Sequence, residues 1–539
     1  MTSIVTVNVT QTVAPTPSLL QQTGALISQG GTNLAAGTYS FLTQLADLTP
    51  LLSSPLAISS LTWSNNVVTA ELPATTIASA SYNATTGVVT ITLTEALSGM
   101  SVGSMVVISG ATGTGAYADL DGTWPVGSGS SGTTLYVTLP PSLTMTITGG
   151  NVALSHGVTT AETFITTIAG ATPAGYNGTY VATAASATSF TYALASNPGT
   201  ETVPGTYTPR NVGELTAMAT TFFAQGALQG VYVLELGAGE AAAGVTELSA
   251  FITANPNFFY SYLVPRNWDG VAGFLALIES FESPTAKTYF FVTTTTGTYS
   301  AYTNLMKCVY AFVEAPSIPV TEFSAAAAFQ VRLRQQPSAT NKVTPYAFSY
   351  LYGVTPYPTK GNSALFSALK VANINYVGTS AEGGITNTIL LWGVSLDGRD
   401  GLYWYSVDWA QINSDENLAN TIINGSNNPI NPLYYDQNGI NRLQDTVVAT
   451  MNSAVTFGLA TGSVVRASLT GPALDAALDA GTYSDQIIVN AVPFIPYLQA
   501  NPGDYKIGQY SGLSVVYIPS RGFISILFNL NVTDFAATA

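Results

Sequence analysis

Every basic residue of this chain lies toward one end. No Lys or Arg precedes Arg210, and all fourteen stand at or after it. Seven acidic residues, Asp47, Glu71, Glu95, Asp119, Asp121, Glu162 and Glu201, precede it. The stretch before Arg210 is made of Thr, Ser, Gly, Ala and Val with turn residues, whereas the stretch after it has aromatics, helical periodicity and ordinary charges. Two kinds of domain are joined here, and neither carries an evident catalytic constellation. The combination points to a structural protein.

The chain has 539 residues, enough for about two to four domains with well-buried cores. Charged residues make up 8% of it, against about 25% in ordinary soluble domains. Polarity comes instead from Thr, Ser, Asn and Gln, which gives an uncharged, hydrogen-bonding surface. Such a surface suits a chain that covers much of its outside with copies of itself; it is also common among secreted bacterial β-proteins. The net charge of −15 opposes binding to a phosphate backbone, which needs clustered Lys and Arg. Arg332 and Arg334 are a local pair, not a stripe, so nucleic acid is not an expected partner. No uninterrupted apolar run reaches the length of a membrane span, so direct membrane insertion is not expected either. The opening MTSIVTVNVTQTV lacks a basic region and alternates instead of forming a solid apolar block. That is not the pattern of a secretory leader, and synthesis in a cytoplasm without one is the expectation.

Residues Ser3–Val13 place Ile4, Val5, Val7 and Val9 against Thr6, Asn8 and Thr10, a strand pattern. It ends at the stiff spacer Ala14-Pro15-Thr16-Pro17. Residues near Leu19–Leu72 mix short strands with a candidate helix over Thr38–Leu45. From about Thr75, short strands alternate with Gly, Asn and Ser clusters: Val88–Leu93, Ser104–Ile108, Thr134–Leu139, Thr144–Thr148, Thr163–Ile168, Thr179–Ala182 and Ser189–Leu194. This spacing predicts a β-sandwich or barrel. An internal repeat supports duplicated β-units. Ser109–Val126 and Ala169–Ala182 share a Gly-Ala turn followed by Asp-Gly-Thr-Trp in one copy and Asn-Gly-Thr-Tyr in the other.

From Arg210 strands alternate with helices. Helices are predicted over Gly213–Gln225, Ala241–Ala254, Gly270–Phe281, Tyr299–Lys307 and Glu322–Gln335. Strands are predicted over Gly230–Leu236, Phe258–Val264, Thr288–Val292 and Val309–Val313. This order predicts a parallel sheet. Further on, Thr388–Val394 and Leu402–Val407 flank the turn Asp397–Gly401, which predicts a hairpin. Gly439–Leu459 reads as an amphipathic helix with Ile440, Leu443, Val447, Met451 and Ala454 on one face. Strands are predicted over Asp485–Val492, Leu513–Ile518 and Phe523–Val532. The fold class expected is thus an α/β core with a parallel or mixed sheet, an inserted all-β region of sandwich or barrel type, and extended N- and C-terminal arms. The divisions are an N-terminal arm strand 1–17, a first part of the core 18–74, an inserted β-region 75–207, an α/β core 208–380, an inner C-terminal domain 381–518 and a C-terminal arm strand 519–539.

Candidate chemistry is sparse. His156 is the only histidine and Cys308 the only cysteine. Zinc ligation and a Ser-His-Asp triad therefore have no second partner, and His156 reads as a surface loop residue. Cys308, inside LMKCVYAFVEA, reads as a small buried hydrophobe. Carboxylates pair at Asp119/Asp121, Asp397/Asp400 and Asp415/Glu416, where turn and capping roles account for them. A calcium loop at Asp397–Asp400 lacks EF-hand spacing. Gly237-Ala238-Gly239 after a strand imitates a dinucleotide loop, without the third glycine or a following Lys. No catalytic residue, metal or cofactor is expected, and the chain is not expected to be an enzyme.

Three segments resemble the contractile tail sheath proteins of myophages, of the sheath type formerly classed as a domain of unknown function. They are TAMATTFFAQG (Thr216–Gly226) followed by VYVLEL, GLYWYSVDWAQ (Gly401–Gln411) ending near Asp408-Trp409, and NPLYYDQNGINRLQDTVVATMNSAVTFGLATG (Asn431–Gly462). Tyr434-Tyr435 stands where the family has Pro-Tyr. The resemblance covers Leu19–Leu72 and Arg210–Val532 and leaves the β-insertion outside it.

The resemblance implies a subunit that stacks in hexameric rings around a tail tube and contracts to drive the tube through a host envelope. Its partners would be itself, the tail tube protein, the baseplate and the tail terminator. It would be a component of the virion tail, assembled in the bacterial host cytoplasm. The arms would complete strands in neighbouring subunits through Ile4, Val5, Val7, Val9, Ile524, Ile526, Phe528, Leu530 and Val532. The segment Asp436–Leu459 would lie on the tube side and present Asn441, Arg442, Asp445 and Asn452. Two other readings stand beside this one: a secreted or surface-layer adhesin, and an enzyme with β-type carbohydrate-binding modules.

Overall fold

The computed structural model describes residues 20–525, apart from 101–103, 158–159, 162, 227–228, 238–240, 303–305, 316–321, 360, 380–386 and 481–484. The chain divides into two compact units. The larger runs over Thr23–Arg334 and Phe348–Gly398; the described part of the smaller comprises Leu20–Gln22, Gln335–Ala347 and the chain from Arg399 onward.

The larger unit is built on a six-stranded sheet. Five of its strands are parallel, in the spatial order Val309–Val313, Tyr289–Thr294, Ser261–Leu263, Gly24–Ser28 and Val231–Glu235. Tyr39–Leu42 adds antiparallel to Val231–Glu235 at the edge. Every residue of the strands 24–28, 261–263, 289–294 and 309–313 is buried, as a sheet covered on both faces requires. Successive residues serve opposite layers. The Phe290 ring meets Phe274 of the helix Ala272–Ser280 at 6.0 Å, and the Phe291 ring meets Phe329 of the helix Ser324–Leu333 at 5.1 Å. Helix 324–333 lies so close to the central strand that a Cβ on Gly24 would stand 2.5 Å from Leu333 Cδ1.

Between the strands 39–42 and 231–235 the chain leaves to build two antiparallel sheets. One has the order Thr134–Thr138, Val88–Leu93, Ala74–Tyr82, Met145–Ser155, Met105–Gly115 and Gly122–Pro125. The other has the order Leu56–Ala57, Thr206–Tyr207, Thr163–Ala169, Gly178–Ser186, Ser189–Ala193, Val67–Glu71 and Ser60–Ser64. One buried cluster draws on both sheets, from Val68, Phe190 and Tyr207 to Val89, Val106 and Leu135. The strands at 56–71 thus belong to this β-region, although the sequence reading assigns them to the first part of the core. The composition does not change at Leu56, so nothing in it marks a boundary there.

The repeat is a repeated structure. Each copy has a left-handed glycine, Gly110 (φ 61°) within strand 105–115 or Gly170 (φ 73°) just after strand 163–169, and a short 3-10 turn follows over Tyr117–Leu120 or Ala174–Tyr176. Asp121 Oδ1 accepts the Ala111 N–H at 2.8 Å, and Asn177 Oδ1 accepts the Ala171 N–H at 2.9 Å. Trp124 then donates to the Leu120 carbonyl, and the Tyr180 hydroxyl to the Asn177 carbonyl. The Asx side chain fastens the turn and the aromatic closes it.

The smaller unit holds a helical hairpin and a small sheet. Helices Gly401–Ser426 and Gln437–Thr456 run antiparallel, with Asn417 donating to Thr450 Oγ1 and the Thr421 and Thr446 hydroxyls 2.9 Å apart. Helix 437–456 lies on the sheet, where Gln444 Nε2 donates to the carbonyls of Ala467 and Val489. In the sheet Gln486–Ala491 is central, with Ser463–Ala467 parallel on one side and Leu513–Val516 antiparallel on the other.

Several expectations are corrected. Thr38–Leu45 is not a helix: Tyr39–Leu42 is a strand paired with 231–235, and a 3-10 helix follows over Leu45–Leu51. Of the helix expected over Tyr299–Lys307, the described residues show only a 3-10 turn, Tyr299–Ala301. The hairpin expected around Asp397–Gly401 is absent. Thr388–Leu391 pairs with Tyr376–Thr379, and Asp400 is the N-cap of the long helix. Leu402, Tyr405 and Trp409 share one buried stripe of that helix, and Trp404 and Asp408 widen it, so the segment is too rich in aromatics to read as helical. His156 is buried: its Nε2 lies 2.6 Å from the Ser186 carbonyl and 3.1 Å from that of Ser189, and its ring stacks on Phe164. Phe523, Ile524 and Ser525 form no strand, and the remainder of that expected arm lies outside the described residues.

The β-region enters and leaves through paired strands, with Leu56 opposite Tyr207 and Ala57 opposite Thr206. Opposed Cα atoms in an antiparallel pair are about 5 Å apart, so a short linker spans the gap at little entropic cost. Replacing residues 56–207 by such a linker is expected to leave the α/β sheet folded. Circular dichroism and a cooperative melt of the excised protein check this; loss of the helical signal would show that the sheet needs the insertion.

Candidate functional site

In open α/β sheets ligands bind beyond the carboxyl ends of the strands, where the strand order reverses. Here strand 231–235 lies on one side of strand 24–28 and strand 261–263 on the other, which places the reversal beside Ser28 and Leu263. The place is filled. Trp268 is fully buried, its Nε1 donates to Gln29 Oε1 at 2.7 Å, and its ring packs on Phe274.

Beside it, the Glu235 carboxylate ends the second strand and is 1% exposed. It accepts from Ser28 Oγ at 2.7 Å, Gly30 N at 2.5 Å, Thr32 N at 3.1 Å, Thr32 Oγ1 at 2.7 Å and Gly237 N at 2.8 Å. A ring of N–H and O–H donors at a strand end is the arrangement that cradles an anion such as phosphate. In this protein the anion is the chain's own side chain. Gly237, the described glycine of the dinucleotide-loop imitation, donates to Glu235. Burial pushes the Glu235 carboxyl above its ordinary value of 4.5, against the pull of these donors.

A second polar knot lies along the same strand ends. Arg266 Nε pairs with Glu314 at 2.8 Å, its Nη2 donates to the Glu322 carbonyl at 2.7 Å, and its guanidinium lies 4.1 Å from the centre of the Phe323 ring. The Arg266 N–H donates to Glu214, and Glu314 also accepts the Ser324 N–H that opens helix 324–333. Four segments, at 214, 266, 314 and 322–324, are tied by this one cation and its carboxylates. Each of these polar groups has a neighbour in the chain as its partner, an arrangement that holds the loops together.

The other candidates resolve the same way. Cys308 is buried, donates to the Ile278 carbonyl, and has its thiol pushed above the ordinary value by burial. Asp397 accepts from Ser395 Oγ, and Asp400 stands at the N-cap position of helix 401–426 and accepts the Gly522 N–H at 2.7 Å. Among the described residues no cluster of three or more His, Cys, Asp or Glu side chains is placed to hold a metal ion. No described helix is long and apolar enough to cross a membrane.

The residues assigned to contacts fall into two sets. Ile4, Val5, Val7, Val9, Ile526, Phe528, Leu530 and Val532 lie outside the described residues, while Ile524 is described and half-buried. On helix 437–456 the expected face holds at Ile440, Val447, Met451 and Ala454, but Gln444 is buried in place of Leu443. Asn441 and Arg442 are half-buried and Asp445 and Asn452 exposed. Asn441 accepts from Gln437, and Asp445 forms an exposed ion pair with Arg466. Arg442 donates to the carbonyls of Asn431 at 3.2 Å and Pro432 at 3.1 Å. Nothing in the sequence marks that anchoring role, because the loop it pins carries no charge.

Replacing Glu235 by Gln removes one acceptor and aims an amide at N–H donors, so a loss of about 2 kcal/mol or more is expected. The pH dependence has a defined sign. A carboxyl whose folded value lies above 4.5 contributes stability that is fully present below that pH and is lost as pH rises through the folded value. Denaturant unfolding of both proteins from acid to neutral pH is expected to show this fall in the wild type and not in E235Q. Equal stabilities and slopes would mean the clamp contributes nothing.

No protein-family model matches the chain, and no curated protein matches it. Solved structures do. A chain in the cryo-EM structure of the anti-feeding prophage baseplate is similar over 59% of this chain and 80% of its own, at 14% identity and a TM-score of 0.39. The sheath tail protein of Listeria innocua is similar over 81% of this chain and 85% of its own, at 11% identity and a TM-score of 0.35. The anti-feeding prophage helical sheath in its contracted state is similar over 58% and 81%, at 11% identity and a TM-score of 0.38.

Proposed function

We propose that this chain is a structural subunit of a contractile tail sheath. It polymerises as stacked six-membered rings around a tail tube, between a baseplate and a terminator, and contracts to drive the tube through the host envelope. In this reading it belongs to the virion tail and is assembled in the cytoplasm of a bacterial host.

The observation that carries the reading is the small sheet of the smaller unit. Its outer strands, 463–467 and 513–516, each pair with 486–491 alone among the described residues. Unpaired edges of this kind invite another strand, and proteins that do not use them commonly cover or charge them. The ends of the chain carry strand-patterned segments, Ser3–Val13 and Phe523–Val532. An arm from a neighbouring copy, added at such an edge, brings main-chain hydrogen bonds. Addition of one copy's arm to the next copy's edge is a heterologous contact, which generates rings or filaments.

The three sheath-like segments support the same reading. Thr216–Gly226 covers the end of helix 210–223 beside strand 231–235, Gly401–Gln411 opens helix 401–426, and Asn431–Gly462 contains helix 437–456. Each carries a core element of its unit.

Deleting Met1–Thr16 or Phe523–Ala539 is expected to leave a folded protein that no longer polymerises. Electron microscopy of the intact protein is expected to show rings or tubes, and of either truncation single particles with an unchanged melt. Normal tubes from either truncation would exclude arm exchange. Flat lattices or monomers from the intact chain would exclude the sheath itself.

A further inference from the structure

The tip of the helical hairpin departs from the rest of the surface. Around it Ile422, Ile423, Ile430 and Tyr434 are 48%, 58%, 94% and 67% exposed. Single exposed apolar residues are ordinary, but four at one tip mark a contact surface.

The tip is also fixed in place. Asn428 Oδ1 accepts the N–H groups of Ile430 at 3.0 Å and Asn431 at 3.2 Å. Arg442 reaches across from the second helix to the carbonyls of Asn431 and Pro432. Leu433 N donates to the Gly425 carbonyl at 3.1 Å, and a Cβ on Gly425 would stand 2.4 Å from Leu433 Cβ, so only glycine admits the loop so close. Pro429 and Pro432 stiffen the turn on either side of Ile430. The apolar side chains are therefore held outward on a loop whose shape is set before any partner arrives, which lowers the entropic cost of docking.

Charge selects the partner. No charged side chain lies between Glu416 and Asp436, in a chain whose net charge is −15. Copies of such a chain repel one another, and a contact between them is least opposed where neither face is charged. A nucleic acid or an anionic lipid would require Lys or Arg turned outward here, and the one cation that reaches the tip, Arg442, is drawn onto the carbonyls of Asn431 and Pro432.

We infer that the loop 427–434, with Ile422 and Ile423 behind it, is a preformed apolar plug that seats on an uncharged surface of a second copy of this chain. The inference rests on the sheath reading and adds to it a side-chain contact separate from the arms. It is tested on the full-length protein with I430D, with I430V as the conservative variant, and with a photo-crosslinking amino acid at position 430. Wild type and I430V are expected to polymerise alike in sedimentation and electron microscopy. I430D is expected to need at least a tenfold higher protein concentration, with its melting temperature unchanged. The crosslinker is expected to yield an adduct of two chains. Polymerisation of I430D at the wild-type concentration, or absence of the two-chain adduct in wild-type-like polymers, overturns the plug and leaves the sheath reading standing. A lowered melting temperature for I430D contradicts the outward placement of Ile430 and also overturns it. Failure of the wild type to polymerise at all removes the sheath reading and the plug with it.

Discussion

The α/β sheet of this protein depends on closing a very long loop. Its first two parallel strands, 24–28 and 231–235, are neighbours in space, and the whole β-region stands between them in sequence. Glu235 fastens that closure from the far side. Its carboxylate takes Ser28, Gly30 and Thr32 from the segment before the insertion and Gly237 from the segment after it. The main chain does the same, with Gly37 N donating to the Glu235 carbonyl and Glu235 N to the Thr38 carbonyl. Because closure entropy grows only slowly with loop length, one well-satisfied buried carboxylate with its paired strands holds an insertion of this size. The edge strand 39–42, the stem at 56–57 and 206–207, and helix 210–223 all follow from that anchoring.

What was legible in the sequence follows the strength of each local signal. Helix 241–254 and strands 231–235 and 309–313 stand close to where periodicity places them, because each is long or continuously apolar and bounded by turn residues. Helix 401–426 is illegible for the opposite reason. It is buried on so wide a face that its aromatics follow no narrow stripe, and only the register Leu402–Tyr405–Trp409 betrays the helix. The strands 56–71 were assigned to the core because composition does not change at Leu56, and membership in a sheet is a long-range property. His156 looks like a loop residue until the carbonyls of Ser186 and Ser189 are brought to it from another hairpin. The candidate site was the least legible of all: a strand followed by Gly-Ala-Gly has the same letters whether its donors face a phosphate or, as here, a glutamate two residues before the first glycine.

Charge economy connects the interior to the surface. Several charged groups near the parallel sheet are turned inward and hold loops, as in Glu235 and the knot of Arg266 with Glu314 and Glu214. Buried charges of this kind persist only when hydrogen bonds surround them, and both sites satisfy that condition. The outside is left to hydroxyl and amide groups. Cross-strand hydroxyl pairs such as Thr76 with Thr94, Thr112 with Thr148 and Thr167 with Thr179 line exposed faces of the β-region. Such faces are well hydrated and carry little electrostatic field, so they oppose close packing of copies far less than a charged surface would.

In the proposed sheath, two kinds of contact would have different mechanical characters. Main-chain pairing at a sheet edge is insensitive to which residues meet, so it can persist while subunits turn. A side-chain plug such as Ile430 is specific to one geometry, because dispersion contacts fall away within an ångström or so of misfit. A lattice that must hold one arrangement and then adopt another needs both: links that survive the change and seats that distinguish its two ends. The exposed ion pair of Asp445 with Arg466 suits neither role, since solvent-exposed pairs contribute little and are screened by salt. Arg442 serves the second role indirectly. Drawn back onto Asn431 and Pro432, it contributes no charge to a partner and instead fixes the shape of the uncharged loop that meets one.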